Sequence, residues 1–342
     1  MRAARALRAH VETWRPYTLW YVGLVGLGGA AVVDGPHHPW RLLSAWAAPT
    51  AGWLGGHYLG DWFDRELDAG SKPHRPIPSS RLGARTALGC GFACFAVLAV
   101  LAVAGGWGTT TAALLAACGI VAYSRWFKAR GFAGNLVRGA LGAVALLYGA
   151  LAVGLPADPS PVLPVLLALT VAFWSHDAMS NLVGALRDID GDRAGGYETL
   201  PVRHGVPLAV RTVLALYAVT LTAALAAGLL ADRSERTAYL VTLLVVGVVG
   251  VTALAPLLPH RAGMPVVVAL RAHSVLVVER VVLASAVVGL GLGVTVQLVL
   301  ALPMVALTWW AQRGMRTRHE LGPTTPDLAL ATHRRMSLED AP

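Results

Sequence analysis

Charge is what this chain has least of. Asp, Glu, Lys and Arg together make up 14% of its 342 residues, where a soluble domain carries about a quarter. So little charge cannot cover a water-exposed surface of this size, and a soluble globular fold is excluded. Lysine is almost missing: of the 28 basic residues, only Lys72 and Lys128 are lysines. Arginine is therefore the default cation and one arginine carries little information, whereas the two lysines stand out. Cysteine is reduced to Cys90, Cys94 and Cys118, each inside an apolar stretch, which argues against a disulfide framework or a zinc site. No linker or low-complexity tract interrupts the chain before its polar end. One domain is expected over 1–313, with 314–342 as a polar, disordered tail.

What fills the chain instead is apolar: 56% of residues, with a mean hydropathy of +0.58. The apolar residues come in blocks of about 17–25, the length that crosses a bilayer as helix. The blocks lie at about 17–33, 41–59, 87–105, 108–124, 136–154, 162–181, 208–231, 237–257 and 281–310. They predict an all-α polytopic membrane protein of about nine transmembrane helices. The opening MRAARALRAH followed by an apolar run has the outline of a signal peptide. It is expected to be retained, because many spans follow and no soluble mature part exists.

The net charge of +9 is not a nucleic-acid signature, because its distribution follows the membrane. With a cytoplasmic N-terminus, segments 1–16, 60–86, 124–135 and 181–207 share one side and hold fifteen Lys and Arg; the opposite loops hold Arg233 and Arg236. That asymmetry places those four segments in the cytoplasm, with a plasma-membrane location expected. One group disagrees: nine spans put Arg313, Arg316 and Arg318 outside. A hairpin in the last span, or a count off by one, would repair this.

Two acid-rich stretches end the second and sixth spans: GDWFDRELDAGSKPHRPIP from Gly60 and RDIDGDRAGGYETLPV from Arg187. On a helix Asp61, Asp64 and Asp68 share one face, as do Asp188 and Asp192. Each group is followed by glycine and a proline-containing turn. The pattern suggests two repeated four-helix units that bring the acids face to face. Clustered carboxylates repel, and a divalent cation relieves that cost; Mg²⁺ takes one or two carboxylates together with substrate phosphates. A single such cluster reads as a solvated, ion-paired loop, but two at matching span ends favour metal. Lys72, Arg75, Lys128, Arg130 and Arg193 lie close enough in sequence to bind remaining diphosphate oxygens. Asp190 and Glu66 fall off the shared faces and are assigned to solvent or a local salt bridge. His176 and Asp177 either line the cavity or pair with each other.

These stretches resemble the two aspartate motifs of the UbiA superfamily of intramembrane prenyltransferases. RPYT at Arg15–Thr18 is similar to the family's RPxT segment, and YSRWFKARGFAGNLVRG from Tyr123 to its Tyr…Lys segment. The resemblance runs from about residue 13 to 205 and implies nine helices around a central, lipid-open cavity. It gives Asp64, Asp68, Asp188 and Asp192, with Asp61, the task of holding Mg²⁺ on an isoprenyl diphosphate. Lys72, Arg75, Lys128 and Arg130 would grip the diphosphate. Gly60 stands where the family usually carries asparagine.

The implied activity is prenyl transfer to a lipophilic acceptor, an aromatic or quinone precursor being the commonest, with membrane lipids as surroundings and no nucleic acid. A terpene cyclase without an acceptor would use the same machinery, and a transporter or lipid-binding protein using the acids for ion coupling is the remaining class. Tyr17, Trp20, Trp53, Tyr58, Tyr123, Tyr148 and Trp174 are candidate cavity-wall aromatics. Arg15 either binds an acidic acceptor or anchors to lipid headgroups.

Overall fold

The structure is a computed structural model that describes residues 2–35 and 38–322. It is helical throughout, apart from one two-residue strand pair. An amphipathic helix α1 (Arg2–Trp14) precedes α2 (Pro16–Ala31) and α3 (Pro39–Phe63). The short α4 (Arg65–Ser71) is followed by α5 (Ala84–Gly105), α6 (Trp107–Ala122), α7 (Ala133–Val153) and α8 (Leu163–Arg187). Two short helices, α9 (Ile189–Ala194) and α10 (Leu200–His204), lead to α11 (Val206–Leu230), α12 (Arg236–Leu254), α13 (Val266–Leu292), α14 (Val294–Ala311) and α15 (Thr317–Leu321). Eight helices among the described residues are long and apolar enough to cross a membrane.

The repeat expected from the motifs is visible: a spanning helix breaks into a short helix at both places, α3 into α4 and α8 into α9. The α2 helix runs through the middle, packed on α3, α7, α13 and α14. Its residues from Tyr21 to Ala31 are all buried. The outer helices show the opposite pattern: α5, α6, α12 and α14 expose Val100, Leu114, Leu244 and Leu302. Apolar side chains facing outward are what a lipid solvent permits.

The ninth expected span is where the structure departs from the sequence reading. Residues 281–310 are not one helix: α13 begins earlier, at Val266, and the chain turns back at Gly293 into α14. Gly293 has φ 95°, a left-handed conformation that costs glycine nothing. The hairpin returns the chain to the end of the bundle that carries the aspartates. Arg316 hydrogen-bonds His273 Nδ1 near the start of α13 (2.7 Å). This removes the conflict over Arg313, Arg316 and Arg318, which now share an end with the other basic segments. Of the expected tail, residues up to Leu321 continue in helix, and 323–342 lie outside the described residues.

Candidate active site

Each aspartate motif is built on a helix break. Asp64 ends α3 and opens α4, and Asp188 ends α8 and opens α9. The helix faces inferred from sequence are therefore bent rather than continuous, yet Asp61, Asp64, Asp68 and Asp192 are all buried.

In the first motif every carboxylate has its own cation, each from a different place in the chain. Arg15, in a left-handed conformation just before Pro16, donates to Asp61. Lys128 donates to Asp64. Arg75 Nη1 donates to both oxygens of Asp68, at 3.1 and 2.9 Å. The second motif differs. Asp188 accepts from Arg187 Nε at 3.0 Å and from Lys72 at 3.2 Å. Asp192 accepts only from the Thr199 hydroxyl, at 3.1 Å.

Two local features hold the motifs together. Strand β1 (Arg130–Gly131) pairs in parallel with β2 (Glu198–Thr199), tying the segment that carries Lys128 to the one that follows Asp192. Gly195 lets the end of α9 meet α4: a Cβ there would lie 2.1 Å from Leu67 Cδ1.

Between them opens a cavity of about 520 Å³. One end is lined by the five aspartates with Lys72, Arg75, Lys128 and Arg187; further in, the wall becomes apolar, with Leu98, Ala112, Ala113, Ile120, Leu141 and Val144. Of the seven candidate aromatics, Tyr17, Trp53, Tyr123 and Tyr148 line it, whereas Tyr58 turns away to His10 and Trp14. Asp177 lines the cavity too. Its neighbour His176 faces the other way, 2.7 Å from Glu279, so the two do not pair.

Two expected diphosphate contacts are not brought to this cavity. Arg130 is exposed, its backbone spent on the strand pair. Arg193 is 62% exposed and reaches Asp190 at 3.4 Å. Other residues stand in their place. Arg187, given no role from sequence, lines the cavity beside Asp188, and Arg15, left open between an acidic acceptor and lipid headgroups, points inward to Asp61. Glu320, from α15, is the least foreseen: its carboxylate lies 3.2 Å from Lys72, 3.2 Å from Arg187 and 3.4 Å from Arg75. Position after a final apolar helix was the only available signal for it.

Electrostatics separates these acids. Burial raises the pKa of Glu320, but Arg187, Lys72 and Arg75 outweigh burial and hold it well below the carboxylate range. Asp188 is lowered in the same way by Arg187 and Lys72 against its own burial. Asp192 goes the other way, pushed up to about 6 by burial and by the charge of Asp188. No three His, Cys, Asp or Glu side chains converge among the described residues into a ready-made metal centre. Asp64, Asp68, Asp188 and Asp192 are nevertheless hard oxygen donors of the kind a divalent cation takes, and Asp192 still lacks a countercharge in contact.

Known proteins resemble this chain in sequence and in fold. The digeranylgeranylglyceryl phosphate synthase of Ignicoccus hospitalis is 36% identical over 235 residues, covering 67% of this chain and 76% of that protein. The synthase of the same name from Thermococcus gammatolerans is 33% identical over 200 residues, 58% of this chain and 70% of that one. Among solved structures, a UbiA homologue from Archaeoglobus fulgidus bound to DMAPP and Mg²⁺ matches with a TM-score of 0.63 at 15% identity, covering 88% of this chain and 98% of that one. The apo UbiA homologue from Aeropyrum pernix K1 matches with a TM-score of 0.66 at 15% identity, over 79% of this chain and 96% of that one. Residues 20–261 match the UbiA prenyltransferase family as a whole. An integral membrane protein with two aspartate-bearing helix breaks facing one cavity, the chain belongs to the UbiA prenyltransferase family.

Proposed function

We propose that this protein transfers an isoprenyl group from an isoprenyl diphosphate to a lipid acceptor built on glycerol phosphate. The carrying observation is the cavity itself: five aspartates gather at one end with Arg15, Lys72, Arg75, Lys128 and Arg187, and a largely apolar chamber, which also holds Arg138, Arg280 and Asp177, extends beyond. That polarity fits a molecule with a diphosphate head and a hydrocarbon tail. The choice of acceptor draws on the relatives, whose name describes glyceryl phosphate carrying two geranylgeranyl groups. It replaces the aromatic or quinone precursor expected from sequence.

Asp64, Asp68, Asp188 and Asp192, with Asp61, would hold Mg²⁺, a cation also bound by the Archaeoglobus homologue. The residues fit such an ion: they are carboxylates only, and Asp61 keeps one buried oxygen without a partner. Bound there, the ion supplies charge neutralisation for the leaving diphosphate. Lys72, Arg75, Lys128 and Arg187 would bind diphosphate oxygens, exchanging protein carboxylate oxygens for substrate phosphate oxygens. The C1–O bond breaks and the diphosphate leaves with the electron pair. Tyr123 and Tyr148 line the path beside the allylic cation, where ring faces stabilise positive charge. An acceptor hydroxyl forms the new C–O bond and loses its proton. The site is assigned to the cytoplasmic face of the cell membrane on the basic-residue asymmetry.

Incubating the purified full chain with Mg²⁺, geranylgeranyl diphosphate and a 3-O-geranylgeranylglycerol 1-phosphate tests this reading. The expected result is an acceptor heavier by one geranylgeranyl group. A cyclic hydrocarbon formed without any acceptor would overturn it in favour of a cyclase.

A further inference from the structure

Deeper in the same cavity, positive charge exceeds what the protein itself neutralises. Arg138 of α7 and Arg280 of α13 both line it, beneath the aspartates. Arg138 Nη1 lies 3.4 Å from Asp177 Oδ2, with its guanidinium 4.3 Å above the Trp53 ring. Arg280 is 3% exposed, and its guanidinium sits 4.5 Å over Tyr21 and 5.8 Å from Trp53. Its Nε has no hydrogen-bond partner. Outside the aspartate motifs and Glu320, Asp177 is the one acid among the described residues lining the cavity. Glu279, next to Arg280, is no substitute. Its carboxylate is held by His176 at 2.7 Å and Tyr217 at 3.1 Å, away from the cavity.

Two guanidinium groups thus share one carboxylate well below the membrane surface. Trp53, on which both lean, is eight residues, or about 12 Å of helix, from Asp61. Charged side chains at such depth are retained where they serve a ligand or a pathway. A buried guanidinium with an unmet N–H is especially costly to leave unpaired. The prenyl cation cannot be the ligand, because it would be repelled. The apolar donor tail offers no acceptor oxygen. What fits is a second anion, and the planar N–H fork of arginine suits phosphate oxygens.

We propose that Arg138 and Arg280 form an acceptor subsite that binds a phosphate monoester, separate from the diphosphate seat at the aspartates. The identity of the anion as a phosphate rests on the glycerol phosphate reading above. Asp177 orients Arg138 and keeps the empty site from carrying two bare charges. The aromatic platform of Trp53 and Tyr21 holds both guanidinium planes while leaving N–H edges free for the ligand. The anion would lie one to two turns deeper than the metal ligands, leaving room for the acceptor hydroxyl to face the donor C1.

The test measures binding and turnover in the full-length detergent-solubilised protein. Binding of 3-O-geranylgeranylglycerol 1-phosphate is followed without donor or Mg²⁺, alongside its dephosphorylated alcohol. Arg280→Gln and Arg138→Gln are compared with Arg280→Lys, with thermal melting and gel filtration as checks on folding. The expected result is at least tenfold weaker phosphate-lipid binding in both Gln variants, with partial recovery in Arg280→Lys. KM for that acceptor rises in parallel, while KM for geranylgeranyl diphosphate changes less than twofold. The alcohol should bind wild type and Arg280→Gln equally. Unchanged phosphate-lipid binding in folded Gln variants overturns the subsite, as does an equal loss for phosphate and alcohol. A wild type that ignores the phosphate lipid but binds 4-hydroxybenzoate in an Arg280-dependent way keeps the anion subsite and overturns the glycerol phosphate acceptor.

Discussion

The two aspartate motifs have the same architecture and different electrostatics. Both are built on a helix break, and both line one end of the cavity. In the first, Arg15, Lys128 and Arg75 give Asp61, Asp64 and Asp68 a cation each. In the second, Asp188 takes two cations, Lys72 and Arg187, and Asp192 is left with a hydroxyl. The consequence is an uneven demand for positive charge. Asp192 has no cation in contact, and burial together with the charge of Asp188 pushes its pKa up to about 6. A metal arriving at the site therefore gains most at Asp192, where no protein cation has to be displaced.

The comparison is broken most severely by removing a charge that both states of the site use. Asp64→Ala or Asp188→Ala strips a ligand and also frees a cation that was neutralised. Turnover should fall by about 10³-fold, in the range seen when a group stabilising transition-state charge is lost. Steady-state prenyl transfer at saturating Mg²⁺ checks it, and a Mg²⁺-independent residual phenotype would instead revive a transporter. A sharper version sets Asp192→Asn against Asp68→Asn. Asn at 192 keeps the Thr199 contact and loses only charge. It should raise the Mg²⁺ concentration for half-maximal activity about tenfold, more than Asp68→Asn does, because Arg75 already competes for Asp68. Equal shifts in a Mg²⁺ titration would show that the two motifs are electrostatically equivalent after all.

Most of this site could be read from the sequence, and the misses have physical causes. The five aspartates, Lys72, Arg75 and Lys128 all line the cavity; the acids and the only lysines stand out in an apolar chain, and Arg75 is named through its place beside the first motif. The first eight spans correspond to helices, bounded by polar residues or, between the third and fourth, by Gly105 and Gly106. The basic residues after the last span point to a hairpin there, but its position at Gly293 is unmarked, because glycine-rich apolar sequence without charge runs on both sides of it. Arg130, expected at the diphosphate, and Arg187, given no role, trade places for a subtler reason. Both flank an active segment, and only the backbone path, a strand at one and a helix end at the other, decides which side chain turns inward. Glu320 is beyond reach of sequence, because its partners come from the segment that follows α4 and from the end of α8.

Glu320 extends the comparison, since it draws on cations from both motifs. Its carboxylate occupies Lys72, Arg75 and Arg187, three groups that a diphosphate would also bind. Removing it leaves those cations short of negative charge in the substrate-free protein. Glu320→Ala should therefore lower KM for the prenyl diphosphate, by about threefold to tenfold, the worth of one partly buried ion-pair competitor. Turnover at saturating donor should change little. A raised KM would mean that Glu320 positions the cations rather than competing for them.

The smallest effects are expected where sequence proximity and cavity geometry disagree. Arg130 and Arg193 sit beside the motifs in the chain, yet both side chains are exposed, and Arg193 spends itself on an exposed ion pair with Asp190. Exposed pairs of this kind contribute about 0–1 kcal/mol and are screened by salt. Arg193→Ala and Arg130→Ala should each leave KM for the donor and turnover within about twofold of wild type. Arg187→Ala, one residue from Asp188 but facing inward, should raise KM for the donor about tenfold or more. The contrast between Arg187 and Arg193 isolates what the fold adds to the motif. Both are arginines within five residues of a motif aspartate, with the same charge in the sequence, and only the helix break at Asp188 sends one into the cavity and the other into water. If Arg193→Ala weakened donor binding as much as Arg187→Ala, the α9 segment would have to close over the bound diphosphate, and the two motifs would meet only when substrate is present.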